Sequence, residues 1–163
     1  RGLKEDGKDW NEVDVDLDWV KVTGIPSYHD KEEGKQRGKN TIFLIEMEGM
    51  RIVHLGDLGH PLTDEQVAKL WPTDVLLAPV GGHFTIEPEE VPKIAGRIEP
   101  KILIPMHYKT EYTEKLPIKP LDDFLKGKKN VKELKGYEYT IFSSTLPKEM
   151  TIVVFKIKDK PKK

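Results

Sequence analysis

The chain reads as an α/β protein, and three observations predict it. Apolar strand-like runs alternate with helix-like patterns from Thr41 to Pro105. Two of those runs, Thr41–Met47 and Arg51–Leu55, flank Glu48-Gly49-Met50 as a hairpin would. Irregular segments rich in glycine or histidine follow the strand-like runs, where open α/β sheets place functional groups. At 163 residues, the length suits a single domain with a real core. Its expected span is 12–157, with flexible ends at 1–11 and 158–163.

Taken in order, Glu12–Val22 alternates charged and apolar residues, the period of a strand with one wet face. A further run, Val20–Ile25, leads into Pro26-Ser27-Tyr28-His29-Asp30, and Lys31–Asn40 reads as a polar, mobile loop. After the hairpin, Pro61–Trp71 has a helix signature, with Thr63 as N-cap and Gln66 three residues on. Asp74–Pro79 is strand-like. Glu87–Ile98 is helical in pattern, with Pro88 in a first turn and Pro92 bending the helix or delaying its start. Lys101–Pro105 is a buried-looking strand, Leu121–Leu125 a short helix, and Tyr137–Phe142 with Thr151–Ile157 a pair of strands.

Composition narrows the function classes. There is no Cys, so disulfides, thiol nucleophiles and thiolate metal sites are excluded. Lys and Arg number 27 against 28 Asp and Glu, a balance that argues against a nucleic-acid partner. No apolar run is long enough for a membrane span, and the first residues do not resemble a signal peptide, so a cytoplasmic protein is expected. Asp14, Asp16 and Asp18 lack the glycine and glutamate spacing of a calcium loop. No GxSxG elbow or P-loop is present.

Chemistry concentrates on strand ends. His29, Asp57 and His107 each follow a strand-like run, and Asp57 lies in Gly56-Asp57-Leu58-Gly59. Imidazole and carboxylate together suit zinc, with manganese or iron as alternatives. A metal held there acidifies water for attack on an ester, amide or phosphodiester. His60, His83 and Thr85 are candidates for contact with substrate or for support of the ligands. His54, alternating with Arg51 and Val53, reads as facing the opposite side, either a satisfied core residue or one that supports the ligands.

The ordered run GIPSYHD, NTIFLIEMEGMRIVHLGDLG, DVLLAPVGGHFTI and EPKILIPMHY resembles the metallo-β-lactamase-fold hydrolases over about Val20 to Tyr112. It is most similar to the uncharacterised bacterial and archaeal zinc-dependent hydrolases related to ascorbate-phosphate lactonases. The resemblance implies an αββα sandwich of two facing sheets with two zinc ions at one edge. It implies His29 on one ion, His107 on the other, and Asp57 bridging both as a catalytic residue. It further implies a metal-bound hydroxide acting on a small lactone, ester or phosphoester, and a homo-oligomer. The family's H-x-H-x-D-H is absent from this sequence. The expectation is therefore the C-terminal half of the fold, incomplete at its N-terminal side. Completion by another polypeptide and a divergent chain with a broken site are the alternatives. The rival function is a non-catalytic structural or interaction protein on the same scaffold.

Overall fold

The computed structural model describes residues 2–157, so the expected tail at 158–163 lies outside the described residues. Eight strands form one mixed sheet: β1 (Asp14–Leu17), β2 (Val20–Tyr28), β3 (Lys39–Met47), β4 (Met50–His54), β5 (Val75–Pro79), β6 (Ile102–Met106), β7 (Val131–Glu133) and β8 (Thr151–Val154). Their order across the sheet is β1-β2-β3-β4-β5-β6-β8-β7. β1 to β4 pair antiparallel, and β4 onward pair parallel. The helices are α1 (Asp64–Leu70), α2 (Val91–Ile98) and α3 (Leu121–Leu125).

The alternating stretch at 12–22 becomes two strands rather than one. Leu17 pairs with Val20 around a tight turn at Asp18-Trp19, so its second half starts β2. β2 then continues through Pro26, where β3 is its only ladder partner and a missing N–H breaks no bond to β1. Residues 2–11, read as a fraying end, instead lie against β3. Thr41 Oγ1 donates to the Gly2 carbonyl at 3.0 Å, and Trp10 Nε1 donates to the Asn40 carbonyl at 2.6 Å.

Helix α1 starts where its capping box predicts. Gln66 N–H donates to Thr63 Oγ1 while Thr63 N–H donates to Gln66 Oε1. The Gln66 amide also donates to the Pro26 carbonyl at 2.8 Å, tying α1 to the end of β2. Helix α2 begins at Val91 rather than Glu87, with Pro92 in its first turn, where a missing N–H costs nothing. It buries Val91, Ile94, Ala95 and Ile98 against one sheet face, beside Leu44, Val53, Leu76 and Leu103.

The expected pair of facing sheets is not what covers the other face. Over β5, β6 and β8 that face carries Val75, Ile102 and Val153, covered by Leu134, Tyr139, Ile141 and Leu146 from the C-terminal segment. The strand expected at Tyr137–Phe142 is irregular for the same reason. Tyr139 and Ile141 pack on the face while Tyr137 and Phe142 stay exposed, and Val131–Glu133 takes the ladder position beside β8. Among the described residues the layers are thus helices, one sheet and a partial C-terminal cover.

Candidate metal centre

The ends of β2, β4 and β6 carry the three expected ligands. β4 ends at His54, and the chain turns through Gly56-Asp57-Leu58-Gly59. Asn40, at the start of β3, sets that turn: its Oδ1 accepts the Asp57 N–H at 2.9 Å, while its Nδ2 donates to Ser27 Oγ and the Leu55 carbonyl. Asp57 keeps its carboxylate half-exposed and aimed toward β6, with Oδ1 4.0 Å from His107 Nε2. Gly59 lies directly against the His29 backbone, where any Cβ would collide, and its N–H donates to the Tyr28 carbonyl at 2.9 Å. Gly81 presses in the same way on the His107 carbonyl. His107 itself adopts φ 52°, a left-handed conformation that a branched L-residue resists.

Two ring nitrogens are conspicuous. His29 Nε2 and His107 Nδ1 are buried and make no hydrogen bond among the described residues. A buried polar atom without a partner costs about 1–3 kcal/mol, so such atoms call for a partner of another kind. Two imidazoles and a carboxylate form a donor set of the kind that borderline divalent cations take, and in that chemical sense the residues fit a metal. The convergence is nevertheless partial. Asp57 approaches His107, and Asp57 shares a cavity of about 620 Å³ with His29, yet no three His, Asp or Glu side chains among the described residues meet as one metal-holding group.

The other candidates divide by environment. His60 has both nitrogens engaged: Nε2 accepts the Tyr28 N–H at 3.1 Å, and Nδ1 donates to the Pro61 carbonyl at 2.7 Å. It thus braces the backbone just before His29. His83 is exposed at φ 60°, its ring edge-on to Phe84 with centroids 4.5 Å apart. Thr85 is buried, and its hydroxyl reaches only the Ile86 carbonyl at 3.5 Å.

Two functional residues escaped the sequence reading, and a third was read as facing elsewhere. Asn40 is one, a lone amide at the polar edge of an apolar run. Asp30 is the second. Its carboxylate accepts backbone N–H bonds from Glu32, Gly34, Gln36 and Arg37 at 2.7–3.1 Å, so the loop expected to be mobile is wound around it. Burial pushes the Asp30 carboxyl pKa up, but the N–H groups of Arg37, Glu32, Gly34 and Gln36 outweigh it and hold it below the usual carboxylate value. An aspartate opening a polar, glycine-containing segment is the signal that could have found it. The third is His54, which lines the same cavity as His29 and Asp57 instead of facing away. Its Nδ1 accepts the Gly56 N–H at 3.0 Å. Burial lowers its pKa and outweighs the opposing pull of the Asp57 charge, which favours a neutral ring.

Comparison with known proteins supplies the class. The model of the beta-lactamase superfamily domain matches residues 6–107, and the chain belongs to that superfamily. Among solved structures, a zinc-dependent hydrolase of the metallo-beta-lactamase superfamily from Thermotoga maritima is similar at 40% identity and TM-score 0.73, over 85% of this chain and 66% of that one. A metallo hydrolase from Ignicoccus hospitalis is similar at 25% identity and TM-score 0.52, over 69% and 48%. Among curated relatives, the UPF0173 metal-dependent hydrolase of Thermococcus onnurineus is 36% identical over 59% of this chain and 44% of its own. That of Pyrococcus abyssi is 32% identical over 68% and 49%. The chain spans about half the length of the curated relatives it matches.

These matches correct the expectation of an N-terminally incomplete C-terminal half with a resemblance starting near Val20. The superfamily model is matched from residue 6, and the Thermotoga structure matches 85% of the chain. The strand β1 and residues 6–13 before it therefore lie within the matched superfamily domain.

Proposed function

We propose that this domain acts in metal-dependent hydrolysis of a small ester, lactone or phosphoester, with His29, Asp57 and His107 as the residues that hold the metal. The observation that carries the reading is the approach of Asp57 Oδ1 to His107 Nε2 at 4.0 Å; His29 Nε2 and His107 Nδ1, buried and without a partner among the described residues, support it. The names of the relatives support the reaction class. When bound, a zinc-type cation supplies Lewis acidity and a more acidic water. The residues of the chain supply position. Asn40 fixes the peptide of Asp57, Gly59 and His60 fix the backbone around His29, and Gly81 admits the close approach of the His107 carbonyl. The Asp57 carboxylate, accessible from the cavity, is the acceptor for a proton of an incoming water or for a second cation.

A panel of p-nitrophenyl esters, lactones and bis-p-nitrophenyl phosphate, with and without added zinc, tests the reading. Zinc-dependent turnover of at least one class, lost in Asp57→Ala and His107→Ala that stay folded, is the expected result. Zinc-independent turnover, or full turnover in Asp57→Ala, would overturn it.

A further inference from the structure

We propose that His54 contacts the substrate, presenting an Nε2–H donor to the oxygen that gains charge at the reacting centre. The assignment rests on reading this cavity as a hydrolytic site. Its first support is a fixed tautomer. A backbone amide can only donate, so the Gly56 N–H at 3.0 Å obliges His54 Nδ1 to be the acceptor. A neutral ring that accepts at Nδ1 carries its proton on Nε2. The same bond holds the ring plane in one orientation.

The second support is location. His54 closes β4 opposite Phe43 of β3, and both line the cavity that also holds His29, Asn40 and Asp57. No described residue accepts a hydrogen bond from Nε2, in contrast to His60, whose two nitrogens are both used within the fold. A donor already oriented in a cavity beside Asp57 has the placement needed to meet developing negative charge. Attack on a carbonyl carbon or a phosphorus moves charge onto a non-bridging oxygen, and a preorganised neutral donor stabilises that oxygen without adding a positive charge that would compete with a cation. The Asp57 carboxylate cannot serve in that role, because an ionised carboxylate only accepts.

Inorganic phosphate is the probe, since it offers such oxygens without requiring turnover. Long-range proton–nitrogen NMR spectra of the full chain at neutral pH should show His54 protonated on Nε2, with that signal moving on addition of phosphate. His54→Gln places an amide donor near the Nε2 position, whereas the shorter His54→Asn reaches only the Nδ1 position and leaves no donor near Nε2. Phosphate affinity should stay within about threefold of wild type in His54→Gln and fall about tenfold in His54→Asn, the size expected for one hydrogen bond to a charged acceptor. A proton on Nδ1, no phosphate effect in the wild type, or equal affinities in the two variants would overturn the assignment. Zinc uptake is read on the same samples. Phosphate contact through His54 without zinc uptake supports this assignment and defeats the metal reading, and zinc uptake without that contact does the reverse.

Discussion

Asn40 binds three segments with one amide. Its oxygen takes the Asp57 N–H, and its nitrogen reaches Ser27 and Leu55, so the strand-end turn and the end of β2 share one buried anchor. Asn40→Ala leaves those partners unsatisfied and should lower stability by about 2–3 kcal/mol in urea unfolding. A loss below about 0.5 kcal/mol would show that water replaces the amide freely. Asp30 makes a pH-dependent counterpart. Its carboxyl pKa is lower in the folded state, so its contribution is present above the unfolded value of about 3.9 and is lost as pH falls through the folded value. Urea midpoints measured from neutral to acid pH should therefore decline more in the wild type than in Asp30→Asn. Parallel declines would refute the assignment of that loop to the Asp30 charge. None of this was visible from residue type alone. Asn40 and Asp30 stand among polar neighbours, and what singles them out is which backbone amides reach them after folding.

At the scale of elements, patterns that rest on local bonding were legible, and those that depend on competition for space were not. The capping box of α1 uses atoms three residues apart, so Thr63 and Gln66 announce it. Thr63→Ala should cost about 1 kcal/mol, read as a lowered melting temperature, with an unchanged melt contradicting the cap. The β3–β4 hairpin likewise follows from two apolar runs and a short turn. In contrast, Tyr137–Phe142 has strand-like residues but covers a sheet face, because Val131–Glu133 has taken the place beside β8. That outcome is set by partners distant in sequence, which alternation does not encode. The turn after β4 shows the tightest long-range demand. Gly59 touches the His29 backbone with no room for a Cβ, so Gly59→Ala should destabilise the fold by about 1–3 kcal/mol and displace His29. Wild-type stability and unchanged histidine NMR shifts in that variant would contradict the close approach.

For the whole molecule, the sheet collects three distant strand ends, and the site is a product of topology. β2, β4 and β6 deliver His29, Asp57 and His107 from positions up to 78 residues apart, the difference between 107 and 29. Their candidacy could be read from sequence because each follows an apolar run. Their unequal convergence could not, since it depends on the left-handed turn at His107 and on the anchoring of Asp57 by Asn40. The resemblance was likewise legible in the succession of motifs, while the reach of the matched domain before Val20 emerged only from the superfamily match, which begins at residue 6. No helix among the described residues is long and apolar enough to cross a membrane.

Zinc-edge X-ray absorption on the zinc-loaded chain tests the central claim most directly, paired with zinc content after dialysis. The account predicts retained zinc with imidazole and carboxylate neighbours at about 2.0–2.2 Å, and loss of that metal in Asp57→Ala. A wild type that retains no zinc, or an Asp57→Ala variant with the same content and the same spectrum, would contradict it.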